Sequence, residues 1–140
     1  TYADDRGLRG VTVSAFVVVS LDPARVLVCL DRLTDALGSI QRSKTFAVNI
    51  LGDRQEFLAE RFAGKAPMVN RRFEGIPHRV TALGNPVLDE CLAWFDCIVE
   101  SVVPGGDHDI VVGAVRETGL GSASMPLLYF AGRYASLDRA

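Results

Sequence analysis

Apolar residues in this chain gather in short runs, most of them rich in valine and isoleucine. Val11–Val13, Val17–Leu21, Val26–Leu30 and Phe46–Leu51 lie in the first half, and Ala93–Val103, Ile110–Val115 and Leu127–Phe130 in the second. β-Branched runs of this length, bounded by Gly, Pro and Asp, predict strands. Asp22-Pro23 predicts the turn between two of them. Two segments keep a different rhythm. Thr34–Arg42 sets Leu37, Ile40 and Gln41 at helical spacing, with Thr34 or Asp35 as N-cap. Asp53–Ala63 puts Phe57, Leu58, Arg61 and Phe62 on one face, with Asp53 as cap and Glu56 three residues on. Pro67, Gly75, Pro77, Gly84 and Pro86 mark a long irregular connection. Many short strands with two interspersed helices predict a mainly β fold, a barrel with helices on its outside. A doubly wound parallel sheet fits less well, because helices do not follow most strands. Tyr2 and the turn-like Asp4-Asp5-Arg6-Gly7 read as the end of a hairpin whose first strand is missing. The expectation is one domain over residues 1–140, lacking its N-terminal strand.

Composition narrows the function classes. At 140 residues and 49 % hydrophobic, the chain can bury a core of its own. A net charge of −2 offers nothing to a phosphate backbone, so nucleic acid is not an expected partner. The apolar runs are too short to cross a bilayer, so no membrane partner is expected either. The first residues are polar and acidic, unlike a signal peptide. Cys29, Cys91 and Cys97 match no metal spacing, so no metal site is expected. Their apolar surroundings suit buried reduced thiols and a cytoplasmic location.

Four places carry candidate chemistry. Ser14-Ala15 is a patch of small residues inside strand-like sequence, where bulk is the rule. Two roles fit it: filling a tight barrel interior, or letting a flat ring approach backbone N–H groups. Asp31-Arg32-Leu33-Thr34 stands where a strand gives way to a helix, and helix N-termini suit phosphates. Arg32 and Thr34 can add a charge and a hydroxyl there; an ordinary helix cap with Arg32 in solvent is the other possibility. Arg61-Phe62 ends the second helix, where Arg61 can clamp a phosphate or simply meet the helix dipole. Gly105-Gly106-Asp107-His108 leads into a strand, and a histidine at a strand mouth can bind a carboxamide or phosphate or move a proton. An exposed hairpin turn explains the same residues. His78, between Pro77 and Arg79, is expected in solvent. Nucleophile elbow, P-loop, GxGxxG and HExxH motifs are all absent from the sequence. That pattern suits hydride transfer between cofactors, in which the protein mainly positions them.

The chain resembles the flavin reductase-like family, the short-chain reductase components of two-component flavin-dependent monooxygenases. The resemblance spans almost the whole length. It rests on Gly10-Val-Thr-Val-Ser-Ala-Phe, Ser20-Leu-Asp-Pro23, Val26-Leu-Val-Cys-Leu30, Phe46-Ala-Val-Asn-Ile-Leu51, Gln55 to Arg61-Phe62-Ala63, Arg72-Phe73-Glu-Gly75, Gly84-Asn-Pro-Val-Leu88, Gly106-Asp-His108 and Pro126-Leu-Leu-Tyr129, in that order. It implies a split β-barrel of Greek-key type with flanking helices. It also implies a homodimer with the flavin site at or near the interface. The implied activity passes hydride from NADH or NADPH to FMN or FAD, and reduced flavin then leaves for a separate flavin-dependent oxygenase. By the same resemblance, Ser14, Ala15, Phe16 and Val17 would contact the isoalloxazine ring. Cys29, Asp31, Arg32 and Thr34 would lie along the ribityl and phosphate part, and Arg61 and Phe62 would complete the phosphate end. Gly106, Asp107 and His108 resemble the family's nicotinamide-associated Gly-Asp-His signature, with His108 as the catalytic candidate. Val18 and Ala24 depart from the pattern, standing where a small residue and a second proline are usual. A flavin carrier or redox sensor without reductase activity is the alternative on the same barrel.

Overall fold

The computed structural model describes residues 1–64 and 73–137. Pro67 and Arg72, named above, lie outside the described residues.

The valine-rich runs pair as strands. β1 (Tyr2–Asp4) and β2 (Gly7–Arg9) pair as the first hairpin. β3 (Phe16–Leu21) and β4 (Ala24–Asp31) turn at a cis Asp22-Pro23 peptide. α1 (Asp35–Ser43) then leads into β5 (Thr45–Ile50), and α2 (Glu56–Ala63) follows. A small hairpin of β6 (His78–Val80) and β7 (Pro86–Leu88) sits in the connection expected to be irregular. β8 (Ala93–Pro104) and β9 (His108–Leu120) make a long hairpin, and β10 (Leu128–Phe130) with β11 (Arg133–Ala135) closes the described chain. The main sheet is antiparallel in the order β3-β4-β9-β8-β5. Its ladder ends at β3 on one side and β5 on the other. The fold is mainly β, as expected, and a closed barrel is not among the described ladders.

Alternation along β5 explains the core. Phe46 and Val48 point to one face and Ala47 to the other, and all three are buried. The first face joins Val26, Val28, Leu30 and Val111 of the sheet to Leu37 and Ile40 of α1, with Tyr2 of β1 beside them. The second joins Ala47 and Trp94 to Leu58 and Phe62 of α2, with Phe73, Ile76 and Val87. Each fully buried aliphatic side chain contributes about 1.5–3 kcal/mol, so these two clusters hold α1 and α2 on the sheet.

Three local expectations are corrected. Val11–Val13 is not a strand; Val11 and Val13 pack against the first cluster from an unpaired segment. α2 begins at Glu56 after Gln55, not at Asp53, whose N–H donates to the Met125 carbonyl at 3.0 Å. The Gln55 side chain fixes this start by accepting from the Gly52 N–H and donating to the Asp89 carbonyl, both at 2.9 Å. The buried face of α2 is Leu58, Ala59 and Phe62, while Phe57 faces solvent.

Candidate active site

A cleft of about 290 Å³ opens where three pieces of chain meet. Val11 to Ala15 form one wall, the end of β4 with Thr34 and His108 forms another, and Phe62-Ala63 of α2 closes the base. Of the residues singled out above, the cleft gathers Ser14, Ala15, Cys29, Asp31, Thr34, Phe62 and His108.

The Val11–Ala15 wall is built by exclusion from the sheet. Thr12 ties it to α2, its hydroxyl donating to the Ala59 carbonyl at 2.7 Å and its N–H to the Phe62 carbonyl at 3.2 Å. Gly10 permits the approach, since a Cβ there would stand 2.7 Å from the Phe62 ring. At the other end the Cys29 N–H donates to the Ala15 carbonyl at 3.1 Å. Ser14 and Ala15 are exposed at the cleft, so they do not fill an interior. Among the described residues their N–H groups have no hydrogen-bond acceptor. Unpaired donors beside small side chains are what the polar edge of a flavin ring requires, so this wall fits that group. Thr12 escaped the sequence reading because it sits between valines in a run that looks like a strand.

The opposite wall is set by a ladder. Asp31, the last residue of β4, faces His108, the first of β9. The Asp31 carboxylate accepts from the Leu33 N–H at 2.8 Å, and its carbonyl accepts from the Thr34 hydroxyl at 2.7 Å. Asp31 therefore shapes the loop before α1, and Thr34 lines the cleft with its hydroxyl already donated to Asp31. The His108 Nδ1 lies 2.8 Å from the Asp107 carboxylate. That hydrogen bond holds the imidazole pKa above its usual 6.5, and the same contact holds the Asp107 carboxyl below its usual range.

Other candidates stand apart from the cleft. The Phe16 ring packs on Phe95 with centroids 5.6 Å apart, and Val17 is 53 % exposed on the outer strand. Gly106 and Asp107 lie in the exposed turn before His108. Arg32 is bound to Asp109, with Nε donating to a carboxylate oxygen at 2.6 Å. Arg61 reaches the Glu74 carbonyl at 3.2 Å. His78 is half-buried, its Nδ1 2.6 Å from the Ile76 carbonyl and its ring edge-on to Phe73, which corrects its expected exposure. Burial raises the Cys91 thiol and pushes Cys97 up to about 12, so neither supplies a thiolate.

Comparison with known proteins fixes the class. The family model described as "Flavin reductase like domain" matches residues 1–138. A flavin reductase of Pseudomonas putida is 37 % identical over 130 residues, covering 93 % of this chain and 75 % of the relative. The protein named FMN reductase (NADH) RutF 2, from Rhizobium rhizogenes, is 38 % identical over 134 residues, covering 94 % and 75 %. The solved structure of the styrene monooxygenase flavin reductase from Pseudomonas putida S12 superimposes with a TM-score of 0.85 at 31 % identity, covering 99 % of this chain and 88 % of that one. The chain belongs to the flavin reductase-like family. It is an NAD(P)H-dependent flavin reductase, using flavin and a reduced nicotinamide.

Proposed function

We propose that hydride passes from NADH to FMN or FAD in the cleft between Val11–Ala15 and His108, and that the reduced flavin serves a separate oxygenase. The N–H groups of Ser14 and Ala15 carry this reading, because they are donors with no partner among the described residues, in an exposed wall of small residues. When bound, the flavin ring supplies the redox chemistry by accepting a hydride from the nicotinamide. The chain's part is to hold the ring edge by the main chain of residues 14–15. It offers the Thr34 hydroxyl from the opposite wall and sets His108 on that wall as the contact for a nicotinamide nucleotide. His108, protonated to higher pH through Asp107, presents a donor to a carboxamide or phosphate. Cys29 lies along the wall, and Phe62 supports its base. NADH is favoured because relatives are named for it, and the oxygenase partner because the styrene monooxygenase reductase is one half of such a pair.

The architecture we assign is a split barrel working as a homodimer in the cytoplasm. The outer strand β3 supports the dimer: Val17, Val18, Val19 and Leu21 are exposed along it, and such an apolar edge is normally covered. Three free thiols suit a reducing compartment.

The test is anaerobic mixing of the purified chain with NADH and FMN or FAD while the oxidised-flavin absorbance is followed. Bleaching that requires the protein supports the reading. Bound flavin that NADH leaves oxidised would move the protein to the carrier class.

A further inference from the structure

His108 has a poor anchor in its own side chain. Asp107, its hydrogen-bond partner, is 93 % exposed, and an ion pair between groups in water is screened and orients little. The main chain around His108 is held by something else. The Arg32 N–H donates to the Asp107 carbonyl at 3.0 Å. The Arg32 Nε donates to the Asp109 carboxylate at 2.6 Å. One residue thus grips the positions immediately before and after His108. Asp109 is only 8 % exposed, and a carboxylate so placed is costly without its partner. Asp31, next to Arg32 in the chain, is the ladder partner of His108, and the Gly105 N–H closes the turn onto the His108 carbonyl at 2.9 Å.

We propose that Arg32 is a positioning residue: it clamps the Asp107–Asp109 turn and so aims His108 into the cleft, and it is not a flavin-phosphate ligand. The inference rests on the reading of His108 as the nicotinamide-side contact. Arg32 lies outside the cleft lining, and its Nε is already committed to Asp109. Losing the Arg32 side chain leaves β4 and β9 paired and the Arg32 N–H on the Asp107 carbonyl, but removes the hold on Asp109 and loosens the turn at their end. The unpartnered Asp109 carboxylate lowers stability, and the functional cost falls on how NADH meets His108, not on flavin.

A double-mutant cycle tests this. Arg32→Ala, His108→Ala and the double variant are compared for the KM for NADH, for kcat, and for affinity toward FMN and riboflavin. Arg32→Ala is expected to raise the KM for NADH about fivefold to tenfold, with kcat held within about twofold. On the His108→Ala background the same change is expected to add less than about twofold, because it acts through His108. The preference for FMN over riboflavin, which lacks the phosphate, stays unchanged. Additive effects, or selective loss of FMN affinity, overturn the proposal and make Arg32 a ligand contact. A silent Arg32→Ala beside an impaired His108→Ala overturns the clamp alone. A silent His108→Ala overturns the reading of the cleft and the clamp with it. If Arg32→Ala does not fold, Asp109→Asn replaces it in the cycle, keeping an acceptor for Nε while removing the charge, with a smaller rise in the KM for NADH expected and an unchanged KM overturning the clamp.

Discussion

The two walls of the cleft are built on opposite plans. At the β4–β9 wall, an unbroken register from Arg25–Ala114 to Asp31–His108 fixes the backbone by ladder hydrogen bonds. At the Val11–Ala15 wall there is no ladder, and the segment hangs on Thr12 at one end and on the Cys29 N–H at the other. The difference follows from what each wall must offer. A side chain that has to point in one direction, such as His108, gains from a rigid strand end. A wall that must offer its own N–H groups cannot also spend them on a neighbouring strand. The same valines that would make residues 11–13 a strand instead anchor the segment through side chains, and the N–H groups of Ser14 and Ala15 stay available among the described residues.

The contrast can be broken from either side. The largest effect is expected from Ala15→Trp, which fills the cleft from an exposed position. Flavin affinity should fall by more than about 100-fold, over 2.7 kcal/mol, while the melting temperature stays nearly unchanged. Flavin titration and thermal unfolding check this together. Next comes His108→Ala, which should raise the KM for NADH about tenfold or more, roughly 1.4 kcal/mol, and leave flavin affinity within about twofold. If both walls served one ligand, the two variants would lose both ligands alike. Gly10→Ala should follow. Its Cβ meets the Phe62 ring, and overpacking of this kind costs about 1–3 kcal/mol, read as a lower denaturant midpoint with weakened flavin binding. Thr12→Val removes one hydroxyl bond to Ala59, a loss of about 1 kcal/mol that should appear as a few-fold weaker flavin affinity and little change in the KM for NADH.

How much of this was legible in the sequence divides along the same line. β3, β4, β5, β8, β9 and both helices announce themselves, because β-branched runs and helical spacing are local signals. His108 at a strand mouth is legible for the same reason: two glycines precede it and a valine run follows. Ser14-Ala15 stands out by its small side chains, but the course of Val11–Val13 was not legible, since alternating valines look alike whether they pair or merely pack. The β6–β7 hairpin hides because three-residue strands leave no period to read. The start of α2 is set by Gln55 reaching Gly52 and the distant Asp89, a tertiary decision. Arg32 meeting Asp109 is equally invisible from the neighbourhood of either residue.

The smallest effect expected is on pH. The hydrogen bond that His108 donates to the Asp107 carboxylate raises the His108 pKa, so the folded chain holds that proton more tightly than the unfolded one. Its contribution to stability is complete below the unfolded value near 6.5 and fades as pH rises through the raised value. If protonated His108 meets the nucleotide, the KM for NADH rises along the same limb. Asp107→Asn should move that limb to lower pH in steady-state profiles, and an unmoved limb would remove His108 from the titration.

The most direct measurement sets the wild-type chain beside Ala15→Trp in anaerobic rapid mixing with NADH and FMN, followed at the oxidised-flavin band. Prompt bleaching is expected from the wild type and none above background from a folded Ala15→Trp chain. Equal bleaching by both would place the reaction somewhere other than this cleft.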